Sequence, residues 1–108
     1  VISGPEKAEW GIISFGSTSR SVEELMVTKG LQSKFRTMRL RTVWPFPDQA
    51  VRNFSDTVDK ILVPELNLGQ LSREISRVVR DTVDVATLNK IGGGRMIEPD
   101  EILAVIAQ

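Results

Sequence analysis

Two stretches of this sequence carry side chains suited to holding an anion. The first is Phe15-Gly16-Ser17-Thr18-Ser19-Arg20, in which a glycine and three hydroxyl residues follow an apolar, β-branched run. If the run is a strand and the hydroxyls open a helix, Gly16, Ser17, Thr18 and Ser19 stand where free amides favour negative charge. The same hydroxyls serve equally well as helix caps, and the loop lacks the full glycine fingerprint of a dinucleotide site. The second is the trio Arg73, Arg77 and Arg80, spaced i, i+4, i+7. On a helix they form one basic stripe, which is either a solvated face or a face for an acidic surface or a phosphate-bearing cofactor.

Two further features are weaker. Gly92-Gly93-Gly94-Arg95 would let a phosphate approach, but no strand-GxxxxGK[ST]-helix pattern surrounds it, so it reads as a flexible loop. Glu65 closes an apolar run, yet no histidine or partner acid lies near it in sequence, so no acid–base role follows.

Absences narrow the chemistry further. The 108 residues include no histidine, which removes the usual general base, the commonest transition-metal ligand and the Ser-His-Asp triad. There is no cysteine, hence no disulfide, thiolate nucleophile or thiolate metal site, a composition that fits a reducing cytoplasm. Fourteen basic residues balance fourteen acidic ones, which argues against a sequence-independent nucleic-acid binder. No apolar run approaches the ~20 residues that span a bilayer, and no signal peptide is evident.

The elements that must position these groups alternate along the chain. Residues 1–9, polar and containing Gly4-Pro5, read as a linker from a preceding segment, and the start at Val1 reads as that of a fragment. Residues 10–16 form a strand buried on both faces. Ser21 and Glu24 have capping-box spacing, Val22, Leu25 and Met26 have helical spacing, and Gly30 suits the helix end. Residues 35–44 are a second strand. Ala50, Val51 and Phe54 mark a second helix. Residues 60–66 are a third strand, in which Pro64 should end or bulge the ladder. Leu68, Leu71, Ile75, Val78 and Val79 stripe a third helix. Residues 83–91 are a fourth strand, and Pro99 to Ile106 a last helix. The order β-α-β-α-β-α-β-α predicts one α/β domain with a largely parallel sheet, helices on both faces and right-handed crossovers.

Trp44-Pro45-Phe46-Pro47 stands at the carboxyl end of the second strand. Its prolines fix two φ angles, and its aromatic rings supply large apolar surface beside a rigid backbone. A stiff, packed strand-to-helix corner is the plain reading of that arrangement.

Taken together, WGIISFGSTSR, LRTVWPFP, PELNLGQLSREI and NKIGGGRMIEPDEIL resemble the C-terminal part of the α subunit of 2-oxoacid:ferredoxin oxidoreductases. The resemblance runs from about residue 9 to 106. Pyruvate-type members tend to place an arginine before Pro-Phe-Pro, whereas this chain has Trp44 there, as in the 2-oxoglutarate type. The implied fold is a three-layer α/β/α sandwich like the transketolase C-terminal domain, over residues 10–108. The implied activity of the whole enzyme is oxidative decarboxylation of a 2-oxoacid to an acyl-coenzyme A, with electrons passed to ferredoxin.

The resemblance further implies thiamine diphosphate, magnesium and iron–sulfur clusters in the whole enzyme, none of them bound by this fragment. Implied partners are the preceding N-terminal domain of the same subunit and the β subunit, with docking and assembly as this domain's role. Trp44 or Phe46 would then anchor such a contact, and Gly16 to Ser19 with Arg73, Arg77 and Arg80 would face a phosphate of coenzyme A. A free-standing binding module is the alternative.

Overall fold

Ile12 and Ile13 are adjacent in sequence, and both are fully buried. Neighbouring strand residues point to opposite faces, so this strand must be covered on both sides. The computed structural model describes residues 2–16, 18–28, 30–31, 33–41, 46–65, 70–89, 102 and 104. In it the strand is β2 (Ala8–Phe15), which lies at the centre of a five-stranded sheet. The other strands are β1 (Ile2–Ser3), β3 (Arg36–Leu40), β4 (Val58–Glu65) and β5 (Asp84–Asn89). The order across the sheet is β1-β3-β2-β4-β5, with β1 antiparallel to β3 and the remaining pairs parallel.

The helices are α1 (Thr18–Thr28), α2 (Asp48–Ser55) and α3 (Gln70–Val78). One apolar cluster joins Trp10, Ile12 and Leu62 of the sheet to Val22, Leu25 and Met26 of α1 and to Ile102. The other joins Ile13, Met38 and Ile61 to Val51 and Phe54 of α2 and Ile75 of α3. The domain is therefore a three-layer α/β/α sandwich, as the alternation predicts. Ile102 has helical backbone, so the end of the chain contributes to the α1 side. Ala104 is helical too, and the other residues of the expected last helix lie outside the described residues.

Local sequence explains the element boundaries. At the end of α1, Gly30 takes φ +64°, Leu31 N–H donates to the Met26 carbonyl at 2.9 Å, and Gly30 N–H donates to Val27 at 3.3 Å. Those two bonds form a Schellman cap, and Leu31 packs on the cluster that holds Met26, as that motif requires. Gly11 lets the sheet and α2 meet. A Cβ at that position would lie 2.7 Å from the Phe54 ring and 3.0 Å from Val58 Cγ1. Before α2, the Asp48 N–H donates to the Phe46 carbonyl at 2.9 Å, and Val51 N–H donates to Pro47 at 3.0 Å. Asp48 then stands at the positive end of the helix dipole.

Three expectations are corrected. Residues 1–9 are not wholly a linker, because Ile2 and Ser3 pair with Met38 and Thr37, and Ala8 already belongs to β2. Ser21 and Glu24 are no capping box, because α1 begins three residues earlier, at Thr18. Pro64 neither ends nor bulges β4. Pairing with β5 continues through Pro64 and Glu65, whereas pairing with β2 stops at Leu62. A residue without an N–H is tolerated where one neighbouring strand has already diverged.

Candidate functional site

The first and third parallel strands, β2 and β4, carry the chain away in opposite directions across the sheet. β2 leads through α1 to β3 on one side, and β4 leads through α3 to β5 on the other. Pairing between β2 and β4 ends at Ile12–Leu62, and this switch in direction is where doubly wound sheets generally hold ligands.

After β2 the chain turns at Gly16, with φ +68° and open space where a Cβ would sit. The Thr18 hydroxyl donates back to the Phe15 carbonyl at 2.8 Å, and Ser19 N–H donates to the Gly16 carbonyl at 3.1 Å. The Ser19 hydroxyl lies 3.0 Å from that of Ser14, and both are buried. The hydroxyls of Thr18 and Ser19 are thus turned into the protein, where they lock the turn. Ser17 lies outside the described residues.

After β4, Glu65 is buried and points at the start of α3. Its Oε1 accepts the Leu71 N–H and its Oε2 the Ser72 N–H, each at 3.0 Å. The carboxylate satisfies two of the amides that a helix N-terminus leaves unpaired, and it places negative charge on the positive end of the dipole. Glu65 is therefore a helix cap supplied by the preceding strand. Sequence spacing of six and seven residues hides this role, since side-chain caps are ordinarily sought at the helix's own first residue.

α3 ends at Val78, so Arg73 and Arg77 lie on the helix and Arg80 just beyond it, and the latter two pair with carboxylates of this chain. Arg77 pairs with Asp48 at 2.8 Å and with Glu74 at 2.9 Å, and Arg80 pairs with Asp56 at 3.2 Å. Hydrogen bonds to Asp48 and then Glu74 hold the exposed Arg77 guanidinium even further above its already high pKa. Arg73 is exposed. The structure places different arginines beside Gly16: an open hollow of about 380 Å³ is lined by Phe15, Gly16, Arg39, Leu40 and Arg41. The sequence signal for that pair was Arg39-x-Arg41 at the end of a strand adjoining β2, and it becomes visible only once the strand order is known. Phe46 is half-buried and packs on the cluster that contains Val51 and Phe54. Trp44 and the Gly92–Gly94 loop lie outside the described residues.

No three carboxylate, histidine or cysteine side chains converge on a metal position among the described residues. With neither cysteine nor histidine in the chain, its donor set does not fit an iron–sulfur cluster. Among the described residues no helix is long and apolar enough to cross a membrane.

The strand order defines a doubly wound α/β domain, and Thr18, Ser19 and Glu65 serve to build its own turns and helix ends. Its family follows from comparison with known proteins: the chain belongs to the pyruvate:ferredoxin oxidoreductase core domain II family, whose model matches residues 8–102. It is 37% identical over 101 residues to a 2-oxoglutarate synthase subunit KorA of Methanothermobacter marburgensis, covering 91% of this chain and 26% of that protein. It is 38% identical over 104 residues to the subunit of the same name from Methanothermobacter thermautotrophicus, covering 94% and 27%. A 2-oxoglutarate:ferredoxin oxidoreductase from Magnetococcus marinus, solved with 2-oxoglutarate, coenzyme A and succinyl-CoA bound, superposes with TM-score 0.86 at 30% identity. That match covers 99% of this chain and 19% of the solved one. The chain thus spans about a quarter of the length of the curated relatives it matches.

Proposed function

We propose that this chain is the second core domain of the α subunit of a 2-oxoacid:ferredoxin oxidoreductase, and that its oxoacid is 2-oxoglutarate. The whole enzyme would decarboxylate the oxoacid oxidatively, form succinyl-coenzyme A and pass the electrons to ferredoxin in the cytoplasm. One observation carries this reading. Nearly the whole chain superposes on part of a 2-oxoglutarate:ferredoxin oxidoreductase at an identity of 30%. The 2-oxoglutarate synthase relatives support the choice of substrate.

Within that enzyme the domain serves assembly and docking. Its donor set does not suit iron–sulfur clusters, and no metal-ligating group forms among its described residues. On the family resemblance, thiamine diphosphate, magnesium and the clusters are assigned to the N-terminal domain of the subunit, the β subunit or their junction. Transketolase-type enzymes have a C-terminal domain of comparable architecture, and the layered α/β/α arrangement favours that kinship.

The test is dye reduction by the purified whole enzyme with coenzyme A and a series of 2-oxoacids. Coenzyme A-dependent turnover with kcat/KM highest for 2-oxoglutarate is expected. A preference for pyruvate would overturn the substrate assignment. Absence of dye reduction with every 2-oxoacid would overturn the oxidoreductase reading.

A further inference from the structure

The hollow beside Gly16 is not the most strongly apolar concavity of the domain. A groove of about 370 Å³ opens between the outer side of α1 and the β1–β3 edge of the sheet. Met26, Val27 and Phe35 supply apolar wall, and Val27 is 69% exposed. The buried pair Ser14 and Ser19 lies on the groove, and the ion pair of Glu23 with Arg39, at 3.4 Å, stands on its rim.

We infer that this groove is the seat of another part of the same polypeptide, which places apolar side chains between α1 and β3 and a backbone carbonyl against Ser14 and Ser19. The inference rests on the reading of this chain as one domain of a longer subunit. Three observations carry it. First, the chain accounts for about a quarter of the subunits it matches, which in those relatives leaves roughly three times its own length to pack elsewhere. Second, among the described residues the α1-side face of the sheet at β3 is reached by α1 only through the rim pair Glu23–Arg39. α1 packs on Trp10, Ile12 and Leu62, leaving Thr37 and Arg39 as groove lining. A half-covered apolar concavity is what an interdomain contact leaves when one side is taken away. Third, the two serine hydroxyls share one hydrogen bond at 3.0 Å. Two hydroxyls carry two hydrogens, and that bond uses one. The second is free for an acceptor, and both oxygens belong to residues at most 3% exposed. A carbonyl satisfies that hydrogen without a charge, in keeping with a rim whose own charges are already paired.

Thiol accessibility in the whole subunit, both alone and assembled with its partners, tests the inference. Protection that appears only on assembly overturns it by assigning the groove to a partner subunit. Because this chain has no cysteine, Val27→Cys introduces a new, separately identifiable peptide, read by maleimide labelling and mass spectrometry. Glu23→Cys on the rim provides an independent reading if the first variant misfolds. The expected result is labelling about tenfold slower, or more, than in the same protein unfolded in urea. A tenfold factor corresponds to ~1.4 kcal/mol of contact. The slowing should be unchanged by protein concentration and by added coenzyme A.

Labelling near the unfolded rate overturns the inference. Protection that appears only as concentration rises assigns the groove to a second copy, and protection that appears only with coenzyme A assigns it to that ligand. Either result overturns it too. Dye reduction by the same preparations separates this question from the enzymatic one. An active enzyme whose introduced thiol labels freely refutes the docking alone. A protected thiol in a protein inactive on every 2-oxoacid refutes the activity alone.

Discussion

Arg77 grips Asp48 through two parallel hydrogen bonds, Nη2 to Oδ1 at 2.8 Å and Nη1 to Oδ2 at 3.2 Å. Its Nε meanwhile holds Glu74 at 2.9 Å. One guanidinium thus joins the first residue of α2 to the last turn of α3. Arg80 repeats the link through Asp56, just past the other end of α2. Two helices that cover the same sheet face are clasped at both ends of α2.

The clasp is exposed, so its effect should be modest and sensitive to salt. Arg77→Ala and Asp48→Asn should each lower the thermal midpoint slightly in low salt. The double variant should lose less than the sum of the two, and the difference should shrink in 1 M salt. The folded state holds the arginine's pKa above its ordinary value. Its contribution is therefore complete at every pH below that ordinary value, and it is lost only as pH rises past the raised one. Titration of Arg77 itself should leave stability flat with pH around neutrality.

Glu65→Ala should destabilise the chain by about 1–3 kcal/mol, because it leaves the Leu71 and Ser72 amides without their acceptor in a buried place. Glu65→Gln keeps one acceptor oxygen and should lose less. Urea denaturation of the variants, with hydrogen exchange at Leu71 and Ser72, checks both the ranking and the location. Equal losses for Ala and Gln would show that the charge on the dipole, and not the second bond, carries the effect.

Gly11→Ala should cost about 1–3 kcal/mol by overpacking, since the added methyl meets the Phe54 ring at 2.7 and 2.9 Å. Combining it with Phe54→Leu should recover part of that loss. A double variant whose loss equals the sum of the two single losses would show that the strain is relieved elsewhere.

Phe46→Ala separates the packed corner from the interface anchor. Phe46 lies only partly inside its cluster, so its loss should fall below the ~3–5 kcal/mol of a fully buried phenylalanine, at about 1–3 kcal/mol. If stability falls while subunit assembly is unchanged, the ring serves the corner. If assembly weakens with stability unchanged, it anchors a neighbour.

Much of this domain is determined by sequence alone. The buried run through Ile12 and Ile13 requires a strand covered on both faces. Val22, Leu25 and Met26 define the inner side of α1, and Gly30 its end, because these signals act over one or two helical turns. The absence of cysteine and histidine likewise excludes thiolate and imidazole chemistry in this chain without any coordinates.

Tertiary structure decided which polar groups meet. Glu65 reaches the amides of α3 only because β4 ends beneath that helix. Arg77 finds Asp48 only because α2 and α3 share a sheet face, 29 residues apart in sequence. Arg39 and Arg41 come beside Gly16 only because β3 adds to the edge of β2. Pro64 stays in its strand because β2 has already turned away. Apolar periodicity is a local property, and the chain's own repeat reports it. Long-range pairing depends on strand order and helix face, to which a single sequence offers no local signal.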